Sequence, residues 1–478
     1  MKNTSRDVFP PQLKGKRVLL ATESFGPVNG VSRTTLSLVE YLRENGVELA
    51  VVAPKYEGSQ ASLQAQTRKQ NYQSNELRLS GYPLPYNPDL TVVYPFRLDE
   101  VYRQTFQPDI VYLASPASVG FQLLLQIRQL LRPPVVLLNF QTDLAAYSEI
   151  LLPRPLALGA VWLLASVQGW LFRHKAVHTV FYPSSGIFSY LEQAGAPVDR
   201  LVKLGRGVDT QLFHPSRRDE AYRRQIAPNG EIILVCVCRI APEKGFEFLA
   251  QVAARLVQVS LPFKMLIVGG NRNPAVEAQV RRLFDSVRDH VVFTGFQMGM
   301  DLARAYACGD LFLHCSITET FGLVVLEAMA SGLPVIARDQ GGPSDIVQDQ
   351  RTGYLVPPSD LDTFVELVQR VSCDENLRTN LAAAARQYAD ETTWEKINRR
   401  VAWRIADAFD EHTRRQTTRR PILDIVGKGY RLIERLRLRV AVLFIWFMWM
   451  ISVVPLIVHG SKIVPRALQM IRGVSTSK

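Results

Sequence analysis

Residues 316–347 read SITETFGLVVLEAMASGLPVIARDQGGPSDIV, with two acids, Glu319 and Glu327, eight positions apart. Thr320, Phe321 and Gly322 open a helix, because a polar, acidic start gives way to the apolar run of Leu323, Val324, Leu326, Ala328, Met329 and Ala330. A short strand over 333–337 and a Gly341-Gly342 turn follow. The first helical turn leaves backbone N–H groups unpaired, and these favour an anion. Gly322 lets that backbone approach a ligand closely. Glu327 lies inside an apolar helix, where a carboxylate without hydroxyl donors is costly. Taken singly, each glutamate reads as an ordinary loop or helix acid. The surrounding loop–helix–strand–loop pattern singles them out.

Working outward, the same alternation recurs on both sides. Apolar strands are expected at 17–22, 47–54, 108–113, 134–140 and 177–183, with a loop at 23–32 and a helix over 33–45 after the first. The pattern pauses over 201–229, which reads as an interdomain connection. It restarts with strands at 231–238, 263–270, 291–294, 310–313 and 333–337, then helix over 361–408. Strands alternating with helices predict parallel, doubly wound sheets, whose sites lie beyond the C-terminal strand ends. The apolar run 156–172 is expected to be the crossover helix that two parallel strands require.

The chain has 478 residues and a net charge of +12, and the location of that charge matters. Residues 413–478 hold thirteen Lys/Arg against two acids, which leaves the remainder nearly neutral. Within that tail, 440–458 (VAVLFIWFMWMISVVPLIV) has no charge over nineteen residues, long enough to cross a hydrocarbon core or to lie in it as an anchor. Nine cations over 414–439 precede it, so the positive-inside tendency places the body in the cytoplasm, beside anionic lipid headgroups. Basic charge gathered around an apolar span disfavours nucleic-acid binding. Residues 1–15 are polar and lack the apolar core of a secretory signal. Five cysteines without metal or disulfide spacing fit a reducing compartment, with Cys236 and Cys238 on one strand face.

Arg239 and Lys244, in RIAPEKGFEF, flank the loop after a strand and can pair with a diphosphate. The run EAMASGLPV followed by GGPSDIV, with the glutamate pair before and within it, resembles the retaining glycosyltransferases of family 4 from about residue 17 to about residue 405. The subgroup it looks most like contains sulfoquinovosyl-diacylglycerol synthases and lipid-directed α-mannosyltransferases. The resemblance implies a GT-B architecture: two Rossmann-like α/β domains facing across a cleft, here with a C-terminal membrane-anchoring helix. The expected divisions are 1–205, acceptor side; 206–412, donor-binding with a crossover helix; 413–439, basic linker; 440–458, anchor; and 459–478, basic tail.

The resemblance implies that Glu319 holds sugar hydroxyls of a nucleoside-diphosphate sugar, with Phe321, Gly322 and Leu323 shaping that region. Glu327 is expected on the ribose, and Arg239 and Lys244 on the diphosphate, with no cofactor and no obligatory metal. Gly30, in PVNGVS, is expected in the loop after the first strand, where relatives carry a Gly-Gly pair. Relatives carry His where this chain has Gln141, which does not titrate near neutral pH. Asp143 is therefore the candidate base or orienting acceptor for an acceptor hydroxyl, with a helix N-cap as its bland reading. A membrane lipid is the expected acceptor. The competing readings are a soluble glycan or protein acceptor, and a catalytically silent sugar-nucleotide sensor. Neither the donor base nor the sugar is readable.

Overall fold

The computed structural model describes residues 6–25, 30–55, 75–84, 87–141, 154–241, 244–271, 273–316 and 319–417. They fall into two compact units. The first takes Met1–Tyr182, Ser189–Val202 and the chain from Arg399 on; the second takes Pro183–Phe188 and Lys203–Asn398.

In the first unit, β1 (Arg17–Thr22), β2 (Glu48–Pro54), β3 (Glu76–Leu79), β6 (Ile110–Ala114), β7 (Val135–Asn139), β8 (Val177–Tyr182) and β9 (Leu201–Lys203) form one sheet in the order β3-β2-β1-β6-β7-β8-β9. β4 (Gly81–Leu84) and β5 (Asn87–Val93) make a separate antiparallel hairpin. From β3 to β8 the ladder is parallel; Leu19 lies between Ala50 and Val111. Every residue of β6 and β7 is buried, as expected of strands covered on both faces.

The second sheet runs β12-β11-β10-β13-β14-β15, again parallel, from β10 (Ile232–Val237), β11 (Phe263–Val268), β12 (Val291–Gly295), β13 (Leu311–His314), β14 (Val335–Arg338) and β15 (Gly353–Val356). Alternation assigns its two faces. Val235, Phe312 and Val335 pack with the helix Leu323–Ala330 on one side. Leu234, Cys236, Met265 and Ile336 pack with the helix Phe246–Gln258 on the other. Cys236 and Cys238 share this second face, as expected, and all five cysteines are free thiols.

Both sheets reverse strand order once, between β1 and β6 in the first and between β10 and β13 in the second. At such a switch point the flanking loops part and leave a crevice at the C-terminal strand ends. In the first unit the chain fills it with its own acid. Buried Glu23, just after β1, accepts hydrogen bonds at Oε1 from the amides of Ala117 (2.9 Å), Val119 (2.7 Å) and Gly120 (2.9 Å), and at Oε2 from Ser118 Oγ (2.8 Å). The helix Ser118–Ile127 thus has its orphan amides satisfied by a side chain ninety-odd residues away.

Several sequence expectations need correction. Gly30 is the first residue of the helix Gly30–Glu44 rather than a loop residue, and that helix starts three residues earlier than its apolar pattern suggests. The connection over 201–229 is not structureless, since it contributes β9 and the helix Glu220–Ile226. β3, the β4–β5 hairpin and β15 were not anticipated; they are short, and three of the four hold four residues each. The run 156–172 does form a helix, Arg154–Phe172. Among the described residues no helix is long and apolar enough to cross a membrane. The basic linker, the apolar run 440–458 and the tail lie outside the described residues.

The C-terminal helix Trp394–Thr417 explains why the chain beyond 398 clusters with the first unit. Glu411 Oε2 meets His178 Nε2 on β8 at 2.8 Å, and Trp403 Nε1 donates to the Val8 carbonyl at 2.9 Å.

Candidate functional site

The second unit brings its sequence candidates together at its switch point. Lys244 follows β10 and Glu319 follows β13, strands that are hydrogen-bonded neighbours although far apart in sequence. Lys244 Nζ lies 2.8 Å from Glu319 Oε2, with the two side chains 16% and 24% exposed. Burial alone raises the Glu319 pKa, but Lys244, His314 and Arg206 outweigh it and bring it down to about 2. Glu319 is therefore a carboxylate at every physiological pH.

The loop carrying Glu319 is held from behind. The Gly342 amide donates to the Glu319 carbonyl at 2.7 Å. A Cβ on Gly341, whose φ is +72°, would sit 2.3 Å from that same carbonyl oxygen. The Gly-Gly turn of the motif is thus a close backbone approach that any side chain would break. Asp345, four residues on, is committed elsewhere: it accepts from the Ser185 amide and hydroxyl at 2.7 Å each and from Lys203 Nζ at 2.5 Å. Those bonds join residues 183–188 to the second unit.

Gly322 adopts φ +93°, ψ +55° as the N-cap of the helix that starts at Leu323. A Cβ there would meet only ordinary contacts, so the left-handed conformation, not close approach of a ligand, is what calls for glycine. Phe321 is 4% exposed and Leu323 8%, and both belong to the core. Glu327 is buried at 2% on the same helix, and Tyr306 Oη donates to its Oε2 at 3.0 Å. Part of the compensation this acid needs is therefore internal. Arg239 is exposed in the loop just after β10.

In the first unit Gln141 is 3% exposed beyond the end of β7, and neither of its side-chain polar atoms has a hydrogen-bond partner among the described residues. Asp143 lies outside the described residues.

Three further residues of this region escaped the sequence reading. Tyr306 looked like any apolar-face residue of the helix Gly299–Ala307. Arg206, alone between Gly205 and Gly207, was read as part of a connection. His314 ends β13 and is 4% exposed; a histidine closing an otherwise apolar strand at a switch point was the available signal. Burial lowers the His314 pKa to about 4, with Lys244 adding to that and Glu319 opposing it.

That shift has a measurable consequence. The unfolded chain takes a proton on this histidine near pH 6.5, while the folded protein resists until about pH 4. Unfolding is thus favoured progressively as pH falls between those values, by up to roughly 1.4 kcal/mol per pH unit. Denaturation curves at pH 7, 6, 5 and 4 should show that loss, and His314→Gln should flatten it. Parallel curves for the two proteins would show that His314 is not held neutral.

Comparison with known proteins agrees with this arrangement. Glycosyltransferase Family 4 matches residues 28–212, and Glycosyl transferases group 1 matches residues 218–388. A GDP-mannose-dependent alpha-mannosyltransferase of Mycobacterium tuberculosis is 35% identical over 387 residues, covering 80% of this chain and 93% of that protein. The Arabidopsis thaliana sulfoquinovosyl transferase SQD2 is 31% identical over 81% of this chain and 73% of its own length. Among solved structures, sucrose-phosphate synthase from Thermosynechococcus elongatus superposes with a TM-score of 0.64 at 21% identity, covering 83% of this chain and all of that one. Anabaena Alr3699/HepE in complex with UDP gives 0.63 at 19%, over 82% of this chain and 100% of that one. These two likenesses concern the fold, which is GT-B-like with two parallel α/β sheets. The chain belongs to the glycosyltransferases of family 4 and uses a nucleotide-sugar donor.

Proposed function

We propose that the protein transfers a mannosyl residue from GDP-mannose, with retention of the α configuration, to a lipid acceptor at the cytosolic face of a membrane. The observation that carries the donor is the 35% identity, across 93% of its length, to a relative named for GDP-mannose-dependent α-mannosyl transfer. The lipid acceptor is supported by a 30% identical relative named as a phosphatidylinositol monomannoside mannosyltransferase, matched over 54% of this chain. The basic segment 413–439 and the apolar run 440–458 supply the chemistry for holding the enzyme at an anionic surface, by a single span or an in-plane anchor.

In this reading Arg239 and Lys244 take the donor diphosphate. They stabilise the charge that builds on the leaving phosphate as the glycosidic bond breaks, so that no obligatory metal is needed. Glu319 accepts hydrogen bonds from sugar hydroxyls and fixes the anomeric carbon, aided by the backbone at Phe321, Gly322 and Leu323. Glu327 accepts from the ribose. Gly30 and Asp143 serve the acceptor side, with Asp143 meeting the incoming hydroxyl. The separation of roles makes a front-face displacement the fitting chemistry rather than a covalent glycosyl-enzyme. The two-carboxylate geometry of glycoside hydrolases does not apply.

The test is a nucleotide screen followed by product extraction. GDP is expected to raise the melting temperature, and UDP is not. Incubation with radiolabelled GDP-mannose and vesicles of total membrane lipid is expected to move label into the organic phase. A shift with UDP alone overturns the donor assignment. Label confined to water-soluble products overturns the acceptor.

A further inference from the structure

Arg206 is a cation that the roles above leave unused. It is 8% exposed, and its guanidinium donates no hydrogen bond among the described residues. Its Cζ lies 5.4 Å from the centroid of the Phe321 ring. Backbone packing puts it there. A Cβ on Gly207 would fall 2.3 Å from the Trp394 amide nitrogen, and one on Gly205 would touch the Phe321 ring at 3.9 Å. The chain threads between these groups with no freedom to turn the arginine outward. Burying a guanidinium without an acceptor is costly, and the burden shows in a pKa that burial lowers to about 10, against the pull of Glu319.

Three basic groups face Glu319: Lys244, His314 and Arg206. They differ in what they can do once a donor arrives. Lys244 is the contact partner at 2.8 Å, and its long stem lets it follow a phosphate. His314 is buried and neutral. Arg206 is charged, and it is fixed by the glycines on either side and the ring over it.

Taking the site as one for a nucleoside-diphosphate sugar, we propose that Arg206 is a positioning residue. It keeps the Glu319 carboxylate charged and aimed at the sugar after the diphosphate has drawn Lys244 away. A bound diphosphate removes the contact cation and adds negative charge beside the carboxylate, and both effects favour protonation of Glu319. A protonated Glu319 would lose half its acceptor capacity at the sugar hydroxyls. The Phe321 ring excludes water from the guanidinium, so the field at Glu319 is weakly screened.

The proton balance of nucleotide binding tests this without requiring transfer. GDP is titrated at pH 6 into full-length protein in two buffers of different ionisation enthalpy, with UDP in parallel. Wild type and Arg206→Lys are expected to take up the same number of protons. Arg206→Gln should take up about half a proton more, and Arg206→Gln combined with Glu319→Gln should lose that excess. Arg206→Met, which fills the space beside Phe321, replaces the glutamine variant should that variant fail to fold. In turnover the acid limb of kcat should move up by about one pH unit in the neutral variants, with the donor KM nearly unchanged. Equal proton uptake by wild type and the neutral variants overturns the role of Arg206 while leaving the donor site standing. Binding of neither nucleotide overturns the site and the inference together.

Discussion

Glu319→Ala is expected to lower kcat by about 10³-fold or more and to leave the protein folded. The carboxylate is where the charge of this site is concentrated, ionised down to about pH 2 and bonded to Lys244. Its removal takes away the acceptor for sugar hydroxyls and leaves Lys244 with a different balance toward the diphosphate. The fold survives because Lys244 is 16% exposed and can turn toward solvent. The ion pair itself is worth on the order of 2 kcal/mol once solvent screening is allowed for, against a total stability of roughly 5–15 kcal/mol. The pH sign follows from a depressed pKa. The pair's contribution is complete above about pH 4.5 and is lost as pH falls towards 2, so wild type and variant should converge in stability in strong acid. Glu319→Gln separates charge from shape: it keeps an acceptor oxygen but should still lose most of the rate. Steady-state kinetics and denaturation of both variants give the answer, and wild-type turnover in Glu319→Ala would remove the residue from the site.

Glu23→Ala should have the largest effect on stability, about 3–5 kcal/mol. Three buried amides and one hydroxyl converge on this side chain, and truncation leaves all of them without an acceptor at the switch point of the first sheet. Glu23→Gln is expected to cost no more than about 1 kcal/mol, because its carbonyl oxygen can replace Oε1 and its amide can donate to Ser118 Oγ. The neutral group also avoids the desolvation that pushes the Glu23 pKa up. Urea denaturation at pH 7 measures both. Equal losses in the two variants would mean that size, not hydrogen bonding, holds this junction.

The contrast between Glu23 and Glu319 shows where sequence reading reached and where it stopped. Both are acids following an apolar strand at a switch point. Glu319 was legible because the residues after it, EAMASGLPV and GGPSDIV, carry a pattern specific enough to name a family. Glu23 stood at the head of ESFGPVNGVS, where nothing local marks a partner 94 residues away. Gly30 was read as a loop glycine because the apolar period begins only at residue 33; its place in the first helical turn depends on packing against the sheet. Gly322 was singled out correctly, but for a different reason than the one that applies: its φ of +93°.

Strand periodicity, helix boundaries within a few residues, the parallel class of both sheets and the Glu319 motif were determined by sequence alone. All of them depend on interactions spanning a handful of positions, which local spacing encodes. Only the tertiary structure decided that Arg206, Lys244, His314 and Glu319 gather around one carboxylate, that Tyr306 backs Glu327, and that Glu23 closes the other switch point. Those meetings follow from strand order, β10 beside β13 and β1 beside β6. Strand order is set by how whole faces bury against one another, a property no short stretch of the chain contains.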